Sequence, residues 1–84
     1  MKLDELVNSI QSKADFVAFV QALSDEAETN AKDWENPTLA RYLEALGRWV
    51  EDSDQYYRNQ GREVPKTPSW RDLGDMLLAA TIYE

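Results

Sequence analysis

The chain has 84 residues, of which 43% are apolar and 11% aromatic. That length suits one domain, and so large an apolar share excludes an intrinsically disordered chain. The formal charge of −7, with Lys13, Lys32, Arg41, Arg48, Arg58, Arg62, Lys66 and Arg71 scattered rather than clustered, opposes a phosphate backbone, so no nucleic-acid partner is expected.

The absence of histidine and cysteine removes the usual general base near neutral pH, the usual thiolate nucleophile and zinc sites built from those ligands. The early Asp4 and Glu5 do not fit a secretory signal. The longest apolar runs, Phe16 to Val20 and Met76 to Ala80, fall far short of the roughly 18 residues that span a bilayer. A soluble, cytoplasmic protein without membrane association is expected.

Leu3, Leu6, Val7 and Ile10 recur at helical spacing, with Asp4 and Glu5 where a helix N-terminus favours negative charge. This predicts a short helix over 3–10. Ser12 followed by Asp15 resembles a capping box, and Phe16, Phe19, Val20, Leu23 and Ala27 continue a second helix over 13–29. Residues 31–35 read as a connection containing Trp34. Asn36 can cap the next helix with Pro37 at its first position, and Thr38 is the rival cap. That third helix is predicted over 38–60 and stops at Gly61, which suits a left-handed terminus. The two prolines between Arg62 and Pro68 make an extended link. Ser69, with Asp72 three residues on, caps a last helix over 70–82. No strand pattern, repeat or low-complexity tract interrupts this series. The class is all-α: one domain over 1–84, a compact bundle of three main helices plus a short N-terminal helix.

The core is expected to comprise Phe19, Leu23, Leu43, Leu46, Val50, Leu73 and Leu77. On the third helix Leu39, Leu43, Leu46, Val50 and Tyr57 centre the apolar face, while Tyr42, Trp49 and Tyr56 line one margin. Those aromatics either cover the core or form a partly exposed strip suited to a protein partner. Trp34 can staple onto the helix it precedes or serve as a recognition element. Glu51, Asp52 and Asp54 are the densest acidic group, but helical geometry turns them to different sides. They read as a solvated face with i,i+4 pairs Arg48–Asp52 and Asp54–Arg58, and no cofactor or metal is expected.

The stretches WENPTLARYLEAL, RWVEDSDQYYRNQG, PSW and LLAATIYE resemble a family of small, acidic bacterial proteins known only as a domain of unknown function. The resemblance runs from about Ser12 to Glu84 and implies a bacterial origin and one compact domain. It supplies no catalytic residues. Small acidic bacterial proteins are often immunity or antitoxin partners, and that analogy adds a basic toxin or effector to the expected partners.

The expected function is a non-enzymatic protein-interaction module, monomeric or weakly homo-oligomeric. It would present an acidic face and an aromatic strip through Trp34, Glu44, Trp49, Glu51, Asp52, Asp54 and Tyr56. The alternative is a small-ligand or carboxylate-based catalytic domain with a groove joining Tyr42, Asp52 and Tyr56. A third class, a structural subunit, would show an exposed apolar stripe closing a homo-oligomer.

Overall fold

The computed structural model describes residues 3–83. Its helices are α1 (Leu3–Asn8), α2 (Lys13–Asn30), α3 (Leu39–Asn59) and α4 (Trp70–Ala79), with a single 3-10 turn at Ala31–Asp33. No strand occurs among the described residues, and the molecule is all-α, as its sequence pattern predicts.

α2, α3 and α4 each start where a side chain replaces a missing backbone partner. The Ser12 hydroxyl accepts from the Asp15 N–H at 3.2 Å, and the Asp15 carboxylate reaches back to the Gln11 N–H at 3.0 Å. At α4 the box is reciprocal: Ser69 accepts from the Asp72 N–H, and Asp72 accepts from the Ser69 N–H. Thr38, not Asn36, caps α3 by accepting from the Arg41 N–H at 3.2 Å. Pro37 therefore precedes the cap instead of occupying the first helical position. Gly61 ends α3 at φ +68°, a conformation that costs glycine little.

Asn36 is spent elsewhere. It is buried, and its amide donates to the carbonyls of Ala80 at 3.0 Å and Tyr83 at 2.8 Å. Its own N–H donates to the Thr81 carbonyl at 3.2 Å. This clasp ties the entrance of α3 to the exit of α4. It also explains why α4 stops at Ala79 and not at 82: the carbonyls that would face solvent in a further turn are turned toward Asn36.

α4 packs against α1, α2 and α3, and α1 packs against α2. Gly74 makes the closest of these approaches possible, because a methyl there would lie 2.6 Å from Ile10 Cδ1 and 3.1 Å from Val7 Cγ2. Val7, Ile10, Phe19 and Leu23 form the core on this side, with Leu77 and Leu78 packed on it. On the other side Ala45, Trp49 and Tyr57 of α3 are buried, as is Ala80 at the end of α4.

The face that α3 buries differs from the expected one. Leu43 and Val50 are 53% and 41% exposed, and Leu46 is half-buried, whereas Trp49 is only 7% exposed. The buried line Ala45, Trp49, Ser53 and Tyr57 lies roughly 60° round the helix from the aliphatic one, at 100° per residue. Two small residues alternate there with two large ones, so α4 can sit close while the aromatics bury most area. Ser53 adds no unpaired polar group, since its hydroxyl donates to the Val50 carbonyl at 2.7 Å. Phe19 and Leu23 are buried as expected, and Leu73 and Leu77 are half-buried.

Candidate functional site

α2 and α3 flank α4 but do not pack on each other. Between them runs an apolar groove with a cavity of about 350 Å³ at the end where the 3-10 turn joins them. Val20, Leu23 and Ala27 form one wall, Pro37, Leu39 and Tyr42 the other, and Leu77 of α4 the floor. On α3, Leu39 of this wall is 73% exposed, and Leu43 and Val50, outside the cavity lining, are exposed as well. Along α2 it continues to the exposed Val17. A neighbouring surface ring is Trp70, stacked on Phe16 with centroids 5.4 Å apart.

The cavity end is rigidly built. Trp34 is half-buried against the core, with its ring 5.8 Å from that of Tyr42. The Tyr42 hydroxyl donates to the Leu77 carbonyl at 2.7 Å. Burial pushes its pKa up to about 12, so it remains a proton donor throughout the physiological range. With that hydroxyl engaged, the walls offer chiefly apolar contact.

Charge lies outside the cavity lining. Helix geometry sets Glu28 at the edge of the α2 wall and turns Asp25 to the far side of that helix, while Glu51 and Asp54 of α3 lie with Arg58 in a depression of their own. Glu35 lies in the connection and lines a separate polar depression with Arg41, Glu44 and Arg48. All five are exposed and none forms an ion pair among the described residues. Lys13, Lys32, Arg41, Arg48 and Arg58 are exposed as well. On the α3 rim nearest Leu43 stand Ala40 and Gly47. Space beside Gly47 is open.

The residues expected to form a partner surface do not converge. Trp49 is buried, with Tyr56 and Tyr57 around it at centroid distances of 5.6 Å and 6.5 Å. Of the marginal aromatics, Tyr56 is exposed, and Tyr42 faces the groove. Trp34 is also a groove wall. Glu44 pairs with Arg48 at 3.9 Å on the outer face, which replaces the expected Arg48–Asp52 pair. Asp52 accepts a short hydrogen bond from the Tyr83 hydroxyl instead. Asp54 and Arg58 form no ion pair within 4.0 Å among the described residues.

The expected hollow joining Tyr42, Asp52 and Tyr56 does not form. Tyr42 lines the apolar groove, whereas Asp52 and Tyr56 line a shallow polar depression with Glu51, Asp54 and Tyr83. Ten residues of helix, about 15 Å, separate Tyr42 from Asp52. Among the described residues no group of three acidic side chains is placed to hold a metal ion.

Two further ionisable groups sit at the α3–α4 junction. The Arg62 guanidinium lies 5.0 Å over the Tyr57 ring and 3.9 Å from the Asp72 carboxylate. Tyr57 is 2% exposed, and its hydroxyl finds no hydrogen-bond partner among the described residues. Burial raises its pKa first, and the carboxylates of Asp72 and Asp75 add to the effect. Burial also raises the Asp75 carboxyl, against the pull of Arg71 and Arg62.

The aliphatic wall of α3 was visible in the sequence only as excess. From Ala45 round to Leu43 the apolar arc covers roughly 160°, against the ≳ 100° stripe a surface helix needs to reach one core. One neighbouring helix cannot cover such an arc.

The fold and groove belong to a small helical domain with an unfilled position between two helices. Residues 12–84 match the model of a family of unknown function, DUF7660, and the chain belongs to that family. No curated protein and no solved structure matches it. No helix among the described residues is long and apolar enough to cross a membrane.

Proposed function

We propose that this protein is a non-enzymatic interaction module of the bacterial cytoplasm that receives a protein partner in the groove between α2 and α3. One observation carries the reading: an open apolar cavity is lined by Val20, Leu23, Leu39 and Tyr42, with Leu39 73% exposed at its edge. Keeping such a surface in water is unfavourable by roughly 25 cal/mol per Å². Contiguous apolar patches on small proteins are where partners dock. The aromatic strip is replaced in this reading by an aliphatic groove. The acidic field remains as the feature that draws in a basic partner, including a toxin or effector of that charge.

Site-specific photo-crosslinking in the host cell tests this. A benzoylphenylalanine at Leu43 should capture a second protein, and one at Glu44, on the outer face, should not. Adducts from Glu44 and Glu51 but not from Leu43 would move the docking surface to the outer acidic face and overturn the groove.

A further inference from the structure

We infer that the cavity in the groove binds a small uncharged molecule, apolar over most of its surface and about two rings in size. The dimensions and lining of the cavity carry this independently of any protein partner. The cavity holds about 350 Å³, within the roughly 300–1,000 Å³ of small-molecule sites. An apolar protein cavity of about 150 Å³ already takes benzene, so this one suits a molecule of about two fused rings. Twelve residues line it, against the roughly 20–30 that one side of a stable protein interface takes. A docked protein therefore makes much of its contact elsewhere, whereas a small molecule makes nearly all of its contact here.

The lining sets the chemistry of the occupant. None of the twelve residues carries a formal charge. An ion placed among them would give up water without meeting an opposite charge, which is costly. The Tyr42 hydroxyl is already committed to the Leu77 carbonyl at 2.7 Å. Both amide hydrogens of Asn36 are committed to the carbonyls of Ala80 and Tyr83. Two side-chain hydroxyls remain. Thr38 accepts from the Arg41 N–H, which leaves its own hydrogen to donate, and Ser24 is exposed on α2. They suit a ligand with one hydrogen-bonding group. The same committed bonds hold Tyr42 and Asn36 in place, with the Trp34 ring 5.8 Å from that of Tyr42. A cavity built in advance spares the ligand the cost of ordering it.

Three probes of one shape and different charge provide the test: 2-naphthol, 2-naphthoate and 2-naphthylmethylammonium. At neutral pH they are uncharged, negative and positive. Binding to the full chain is read from shifts of the Val20, Leu23, Leu39 and Leu77 methyl resonances. Ala27→Phe fills the cavity from its α2 wall, and Ser24→Phe does so from the neighbouring turn. Both positions are exposed, so the core is kept. Ala14→Phe adds the same ring to an exposed position of α2 outside the lining.

2-Naphthol should bind with a Kd below about 1 mM, at least about tenfold tighter than either ion. Both filling variants should lose that binding at an unchanged melting temperature, and Ala14→Phe should keep it. Equal or tighter binding of the ammonium probe would assign the shifts to the acidic surface and overturn the uncharged ligand, as would equal or tighter binding of 2-naphthoate. Binding of 2-naphthol retained in both filling variants would place it outside the cavity and overturn the site. No methyl shift up to the solubility limit of 2-naphthol would overturn the small-molecule site and leave the protein partner to be decided by cross-linking at Leu43.

Discussion

Asn36 shows how much one side chain can hold. A carboxamide supplies two donors, and both are used on carbonyls more than 40 residues away in sequence. Replacing it with alanine leaves acceptors near the end of α4 without partners, which costs about 1–3 kcal/mol in a buried setting. Asn36→Ala should therefore lower urea stability by that amount and release the chain after Ala79, seen as faster amide exchange at Thr81 and Tyr83. Tyr57 presents the opposite case. Its buried hydroxyl makes no hydrogen bond among the described residues, so Tyr57→Phe removes a desolvated polar atom while keeping the ring under Arg62. The variant should be as stable as the wild type or more so. A loss above about 1 kcal/mol, the worth of a typical hydrogen bond, would show that the hydroxyl is paired in solution.

α3 carries two apolar faces, and the fold uses one. Trp49→Ala should cost about 3–5 kcal/mol, as buried aromatic truncations do. Leu43→Ala should stay within about 0.5 kcal/mol, as surface changes do. The periodicity alone would have ranked Leu43 with the core. Urea titration of both variants gives the order directly. Gly47 lies mid-helix in α3 with nothing within 4 Å of an added methyl. Gly47→Ala should therefore stabilise the helix by about 0.8–1 kcal/mol through propensity.

Across the whole molecule the shape is flattened, with extents of 35 × 28 × 17 Å. That flatness follows from α4, whose 10 residues serve three neighbours and leave α2 and α3 apart. The pH response of the fold gathers at the same helix. Burial holds the Asp75 carboxyl above its ordinary 3.8, so the folded state keeps this proton longer than the unfolded chain. The stability it contributes is present below pH 3.8 and is lost as pH rises through the folded-state value. Asp75→Asn should therefore melt higher than the wild type at pH 7 and lose that advantage in acid. Melting curves at both ends of this range check the sign. Tyr42 acts in the same sense at the alkaline end. Its contribution disappears between the ordinary pKa of 10.0 and about 12.

Helix identity was legible in the residues because it is set locally. Ser12, Thr38 and Ser69 cap, Gly61 stops, and a 3.6-residue period runs between them, all within a few residues of chain. Phe19 and Leu23 could be assigned to the core because both lie on the apolar stripe of α2 that α1 and α4 cover. α3 has two, and its sequence holds no information on which of them α4 will meet. That choice depends on the closeness that Ala45 and Ser53 permit and on the area that Trp49 and Tyr57 bury. Both are properties of contacts between segments distant in the chain. The groove has the same origin: its walls come from α2 and α3 and its floor from α4, and no local pattern joins them. The sequence alone determined four helices, the starts of α2 and α4, the stop at Gly61 and an acidic surface, whereas α1 and α4 end earlier than their apolar periods, at Asn8 and Ala79. Only tertiary packing decided that the aliphatic edge of α3 would face water beside α2, because one short helix cannot cover both sides of a long one.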